Sequence, residues 1–196
     1  MSWRAVHIED AELIARARSG DVAAYEVIVR RYQDVAVRTA HLICPETDAD
    51  DAVQEAFLKA YDALPRFRDG APIRPWLLRI VANEARNRRR SAGRRHGLAL
   101  RVAEIEPTRS VPGPEQIVIA AEQRAELLSA LATLRDDDRE VLGARFLLDL
   151  SELETAETLG IPRGTVKSRT SRALARLREA LAAIEARAGG GTELER

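Results

Sequence analysis

At 196 residues the chain is long enough for one large domain or two small ones with working cores. It is 45% hydrophobic and 32% charged but only 4% aromatic, which is the composition of amphipathic helices rather than sheets, so an all-α fold is expected. Charge balances at 31 Lys plus Arg against 31 Asp plus Glu. The single Cys44 excludes an internal disulfide, and three scattered histidines give no metal-ligand spacing. No apolar run reaches membrane-spanning length and the start MSWRAVHIED lacks a signal-peptide core, so a cytoplasmic protein without membrane insertion is expected.

In chain order, Asp10 is placed to cap a short helix through Leu13, Ile14 and Ala17 that Gly20 ends. Asp21 starts a longer helix. Its stripe of Tyr25, Ile28, Tyr32, Val35, Ala36, Thr39 and Ile43 recurs at three and four residues and stops before Pro45. Asp48 is the expected cap of a third helix, in which Ala52, Val53, Ala56, Phe57, Ala60, Tyr61 and Leu64 face inward. Asp50, Asp51, Gln54, Glu55 and Lys59 are left outward. Pro65 closes that helix, the Gly- and Pro-punctuated RFRDGAPIR follows, and Pro75 suits the first turn of a fourth helix, PWLLRIVANEARNRRR.

Periodicity then fades between about Ser91 and Gly113, where EPTRSVPGP reads as an extended linker. Two domains follow, 1–92 and 114–187, joined by a flexible linker over 93–113 and trailed by a disordered tail over 188–196. In the second, PEQIVIAAEQRAELLSALATL and DDDREVLGARFLL form helices, the latter near an Asp cap. The final pair has Ser151 and Glu154 as a capping box, Gly160 as a stop and Thr165 as the next cap. Helix, short glycine-containing turn and helix is a helix-turn-helix.

Charge is segregated along this frame. The stretch GIPRGTVKSRTSRALARLR holds six basic residues and no acid. Val166, Thr170, Ala173, Leu177 and Leu181 form a buried seam, leaving Lys167, Ser168, Arg169, Ser171, Arg172 and Arg176 on the exposed sides. A cationic face beside a buried seam suits the major groove of DNA, and a merely solvated helix would mix in acids. The run RNRRRSAGRRHGLALR has seven arginines and no acid, either a nucleic-acid patch or a solvated linker.

LGIPRGTVKSRTSRAL resembles the C-terminal helix-turn-helix of the sigma-70 family, in particular the small extracytoplasmic-function sigma factors of bacterial RNA polymerase. DADDAVQEAFLKAYDAL resembles that family's polymerase-binding helix, and FRDGAPIRPWLLRIVANEARNRRR its promoter-melting segment. Thr155 and Thr170 depart from the pattern, standing where isoleucine or a larger apolar residue is usual. The resemblance implies a sigma region 2-like domain and a region 4-like domain in a promoter-specificity factor that is not an enzyme and needs no cofactor or metal.

It further implies that Asp50, Asp51, Gln54, Glu55 and Lys59 bind the clamp coiled coil of the largest subunit of core RNA polymerase, while the C-terminal domain meets the flap of the second subunit. Arg66, Arg68, Arg79, Asn83, Arg86, Asn87 and Arg90 would engage the minus-10 element. There a flipped base is captured without ATP. Arg163, Thr165, Lys167, Ser168, Arg169, Ser171, Arg172 and Arg176 would engage the minus-35 element of promoter DNA. An anti-sigma factor is an implied partner, and the linker would follow the RNA exit path. Trp76 is open between core residue and base-stacking platform. The rival readings are a dimeric helix-turn-helix regulator, a metal-dependent enzyme built on Asp48, Asp50, Asp51 and Glu55, and a pure protein-interaction module.

Overall fold

The structure is a computed structural model that describes residues 3–44, 46–93 and 125–190. Most of the expected linker, the start of the helix expected from Pro114 and residues 191–196 lie outside the described residues. All regular structure among the described residues is helical: α1 (Trp3–Arg18), α2 (Val22–Ile43), α3 (Glu46–Ala63), a 3-10 turn (Leu64–Arg66), α4 (Ile73–Gly93), α5 (125–133), α6 (Asp136–Leu142), a π turn (Gly143–Leu147), α7 (Glu152–Leu159) and α8 (Arg163–Gly190).

In the N-terminal half, Asp21 caps α2 by accepting from the Ala24 amide at 3.1 Å, and Arg16 beside it holds its carboxyl below the usual range. The stripe of α2 is buried as its spacing requires, except that Tyr25 is half-buried and donates its hydroxyl to the Phe57 carbonyl at 2.6 Å. Three local expectations give way to tertiary contacts. Asp10 caps nothing: it lies inside α1, 4% exposed, and accepts from the Tyr32 hydroxyl and the Arg31 guanidinium of α2. Two donors are what let a carboxylate remain at that depth. Asp48 sits inside α3, which already starts at Glu46, and Tyr61 stays 37% exposed, its ring edge against Tyr25 at 4.8 Å.

In the C-terminal half, α6 has Arg135 at its cap without a side-chain bond, so Asp136, Asp137 and Asp138 fill the first turn and face the positive end of the helix dipole. The chain then widens: the Leu148 amide reaches back five residues to the Gly143 carbonyl at 2.9 Å. The Ser151/Glu154 capping box forms in full, and Gly160 ends α7 at φ 69° in the left-handed region, where a side chain would be strained. Thr165 is not the cap of α8. The Pro162 carbonyl receives the Thr165 and Val166 amides at 2.9 and 3.1 Å, so the helix opens at Arg163, where a residue following proline can enter directly. At its other end α8 reaches Gly190, so 188–190 are helical rather than tail.

The two halves touch. α4 packs against α2 and α3 on one side and α7 on the other, while α6 and α7 pack on α8. One apolar cluster therefore runs from Ile14 through Leu77, Leu78 and Val81 to Val141, Val166 and Ala173. None of the described helices is long and apolar enough to cross a membrane.

Candidate nucleic-acid and partner-binding surfaces

Val166 and Ala173, both fully buried, fix the orientation of α8. That orientation divides its polar residues. Arg163, Lys167, Ser168, Ser171, Arg172 and Arg176 are exposed, and Arg172 bonds back to the Ser168 carbonyl at 3.2 Å. The half-buried Arg169 and the exposed Arg176 both reach toward α6, pairing with Asp137 at 3.2 Å and with the buried Asp138. Thr165 is half-buried at the helix start. The aspartates that crowd the first turn of α6 thus anchor two of the helix's cations, and Glu152 of α7 stands 3.4 Å from a third, Arg163. Arg145, Lys167, Ser171 and Arg178 line an adjoining hollow of about 360 Å³.

On α4, Arg79, Asn83, Asn87 and Arg90 are all exposed and follow a three-and-four spacing, so they share one stripe. Arg90 and Asn87 are themselves joined at 2.6 Å. Arg86 leaves this stripe and donates to Glu140 of α6 at 3.1 and 2.7 Å. The loop before α4 presents Arg66 and Arg68, both exposed, on either side of the buried Phe67. Phe67 stacks at a tilt against the half-buried Trp76, ring centroids 4.8 Å apart. Trp76 is packed against the core, which settles its position in favour of packing over an open platform.

On α3, Asp50, Asp51, Gln54 and Lys59 are exposed and Glu55 half-exposed, forming one polar strip. Part of its charge is matched by α4, Asp51 pairing with Arg88 at 2.9 Å and Lys59 with Glu84 at 2.8 Å, and Lys59 also pairs within α3 with Glu55 at 3.3 Å. Hydrogen bonding to Glu84 first, and Glu55 second, holds the Lys59 ammonium above its ordinary pKa. Asp50 and Gln54 remain open to solvent, and Leu58 beside them is 65% exposed. Among the described residues no cluster of His, Cys, Asp or Glu is arranged to hold a metal ion.

Two residues that sequence reasoning passed over shape these surfaces. Arg18 of α1 donates to the Leu64 carbonyl at 2.9 Å and to the Phe67 carbonyl, and pairs with Asp69, gripping the loop that carries Arg66 and Arg68. Glu140 receives both Arg86 and Arg89. Their partners lie some fifty residues away in the chain, so no local pattern announces them.

Comparison with known proteins agrees with this geometry. The family model for sigma-70 region 2 matches residues 28–95 and that for sigma-70 region 4 matches residues 130–179. The chain is 36% identical over 171 residues to the RNA polymerase sigma factor NccH of Alcaligenes xylosoxydans xylosoxydans, covering 86% of this chain and 92% of that one. It is 34% identical over 173 residues to the ECF RNA polymerase sigma-E factor of Escherichia coli K12, covering 85% and 91%. Among solved structures it is similar to CnrH in complex with the cytosolic domain of CnrY, with TM-score 0.66, 31% identity and coverage of 89% and 98%. It is also similar to the sigma factor RpoE of Bartonella quintana in complex with the anti-sigma factor NepR, with TM-score 0.62, 26% identity and coverage of 81% and 96%.

Proposed function

The chain belongs to the extracytoplasmic-function sigma factors of the sigma-70 family, which direct promoter-specific transcription by RNA polymerase, and from that premise we propose how its surfaces divide the work. It is not an enzyme; the polymerase it directs performs the chemistry. The open strip of α3 around Asp50, Asp51, Gln54, Glu55 and Lys59 docks on the clamp coiled coil of the largest polymerase subunit. The C-terminal half meets the flap of the second subunit. Residues 1–92 form the region 2 unit, 93–113 the linker and 114–187 the region 4 unit.

Arg163, Thr165, Lys167, Ser168, Ser171 and Arg172 engage the minus-35 element, the long side chains reaching phosphates and base edges. Arg169 and Arg176 belong to the same surface but are steadied by Asp137 and Asp138, so they serve it more as backbone contacts. At the minus-10 element, Arg66 and Arg68 flank the base-capturing loop, Asn83 reads a base, and Arg79, Arg86, Asn87 and Arg90 hold the backbone. Binding energy spent on an extruded base offsets the few kcal/mol that unstacking costs.

Like RpoE, which was solved with an anti-sigma factor, this chain is assigned an anti-sigma partner, and as a partner of RNA polymerase it works in the cytoplasm. The observation that carries the reading is the separation of an open acidic-polar strip on α3 from cationic stripes on α4 and α8. Two-component reconstitution tests it. Run-off transcription with core polymerase should start downstream of two spaced elements. DNA binding by the chain alone as a dimer, without any effect of polymerase, would instead favour an ordinary helix-turn-helix regulator.

A further inference from the structure

The loop between α3 and α4 carries Arg66 and Arg68 but has little regular structure of its own. Its 3-10 turn closes with the Phe67 amide on the Leu64 carbonyl at 3.0 Å, the Ala71 amide reaches the Arg68 carbonyl at 3.2 Å, and Gly70 passes through φ 73°. A segment with so few internal bonds takes its shape from what is packed on it. Phe67 supplies one attachment, buried with its ring centroid 4.8 Å from that of Trp76 on α4. The second comes from α1. Ile14 and Ala17 are buried and fix the face of that helix, and Arg18 in its last turn reaches the loop. Its Nε donates to the Leu64 carbonyl at 2.9 Å, one terminal nitrogen to the Phe67 carbonyl and the other to Asp69.

A cation in the last turn of a helix ordinarily complements that helix's own negative end. Arg18 is not needed there: the Ser19, Gly20 and Asp21 amides already return to the Ala15, Arg16 and Ala17 carbonyls at 3.0 to 3.3 Å. Nor does a surface ion pair account for its placement. Asp69 is 88% exposed, so that arm adds little, whereas the two carbonyl arms are charge-assisted and part-buried. A guanidinium presents its donors in a fixed planar fork, so gripping two carbonyls three residues apart sets their separation as well as their direction. The span gripped, Leu64 to Phe67, is the backbone on which Arg66 stands, and Arg68 follows it directly. With its side chain only 23% exposed, Arg18 has little left to offer a phosphate.

We propose that Arg18 is a positioning residue for minus-10 recognition: from α1, without touching DNA, it holds the backbone of residues 64–69 in the shape into which the extruded base docks. The proposal rests on the assignment of this loop to base capture. Docking an unstacked base offsets the cost of extrusion only when the groups that receive it already stand in place. A loop released from Arg18 must be ordered by the base itself, so the correct base loses its advantage over a wrong one. Attraction for the phosphate backbone is kept, because Arg79, Asn87 and Arg90 are exposed on α4, outside the span that Arg18 holds.

Holoenzyme reconstituted from core RNA polymerase and the full chain tests this, titrated with non-template-strand oligonucleotides that carry the minus-10 element mapped by run-off transcription, each base in turn at the extruded position. The variants are Arg18→Ala, which removes the fork, and Arg18→Lys, which keeps the charge without the fork. Wild type should prefer one base. Both variants should lose about tenfold of that preference, the order of one charge-assisted bond, while binding core polymerase and the wrong-base oligonucleotides as wild type does. A preference restored by Arg18→Lys would make Arg18 a phosphate-attracting charge and overturn the proposal, as would an unchanged preference in both variants. Loss of core binding in step with loss of preference would also overturn it, by showing a general fault in folding. If wild type itself prefers no base, the assignment of the loop to base capture falls. Amide exchange at Phe67 and Ala71 then still decides whether Arg18 holds the loop: faster in both variants if it does, unchanged if it does not.

Discussion

At the scale of single residues, three threonine hydroxyls stand out. Thr155 and Thr158 of α7 and Thr170 of α8 bury Oγ1 without a hydrogen-bond partner among the described residues. A buried hydroxyl left unpaired costs about 1–3 kcal/mol. Thr155→Val, isosteric without the hydroxyl, should therefore raise the unfolding free energy in urea by about 1 kcal/mol; a loss of that size would mean that Thr155 has a partner in solution. Thr155 and Thr170 are two places where the sequence departs from its family's apolar habit, so this weakness was legible beforehand. Arg18 was not. A pattern of three and four residues marks it as a helix-end cation, whereas its partners are the loop carbonyls 46 and 49 positions on. Arg18→Ala should reduce permanganate-detected opening of the minus-10 region while core polymerase binding is unchanged; equal loss of both would show a general fault in folding. Cys44 is buried and its thiol is pushed up to about 11, by burial first and the Asp48 charge second. It should label with a thiol reagent only on unfolding.

At the scale of elements, the α7–α8 unit was readable because its signals are local. Ser151, Glu154 and Gly160 act on amides within four residues of themselves, and the structure uses each of them as the sequence suggests. Gly160→Ala, placing a side chain at φ 69°, should destabilise the C-terminal half by about 1 kcal/mol in thermal or urea unfolding. Local rules failed where distant groups or proline intervened. Asp10 looks like a cap until Tyr32 and Arg31 claim it, and Thr165 yields its place because the Pro162 carbonyl already starts α8. On α8 itself, the sequence treated Arg169, Arg172 and Arg176 alike, but α6 distinguishes them. Arg172→Ala should cost about 1–3 kcal/mol of minus-35 binding if it makes a bidentate base contact. Arg169→Ala should cost less, its side chain being shared with Asp137. Competitive gel shifts on single-base promoter variants would separate the two, and equal losses would contradict the division.

At the scale of the whole molecule, composition and helix periodicity were enough for an all-helical chain, and the resemblance of its motifs to the sigma-70 family implied a region 2-like and a region 4-like part. Charge segregation pointed to separate partners. What the sequence could not reveal was how the halves meet, because the Glu140 bonds to Arg86 and Arg89 join residues more than fifty positions apart. The chain is proposed to bind polymerase and promoter through different surfaces. The most direct test is retention of core RNA polymerase by immobilised wild type, Glu55→Lys and Arg172→Ala, with run-off transcription from each. Glu55→Lys should lose polymerase while keeping its helical fold, and Arg172→Ala should retain polymerase while losing promoter-directed starts. Two variants that fail in the same assay to the same degree would contradict the account.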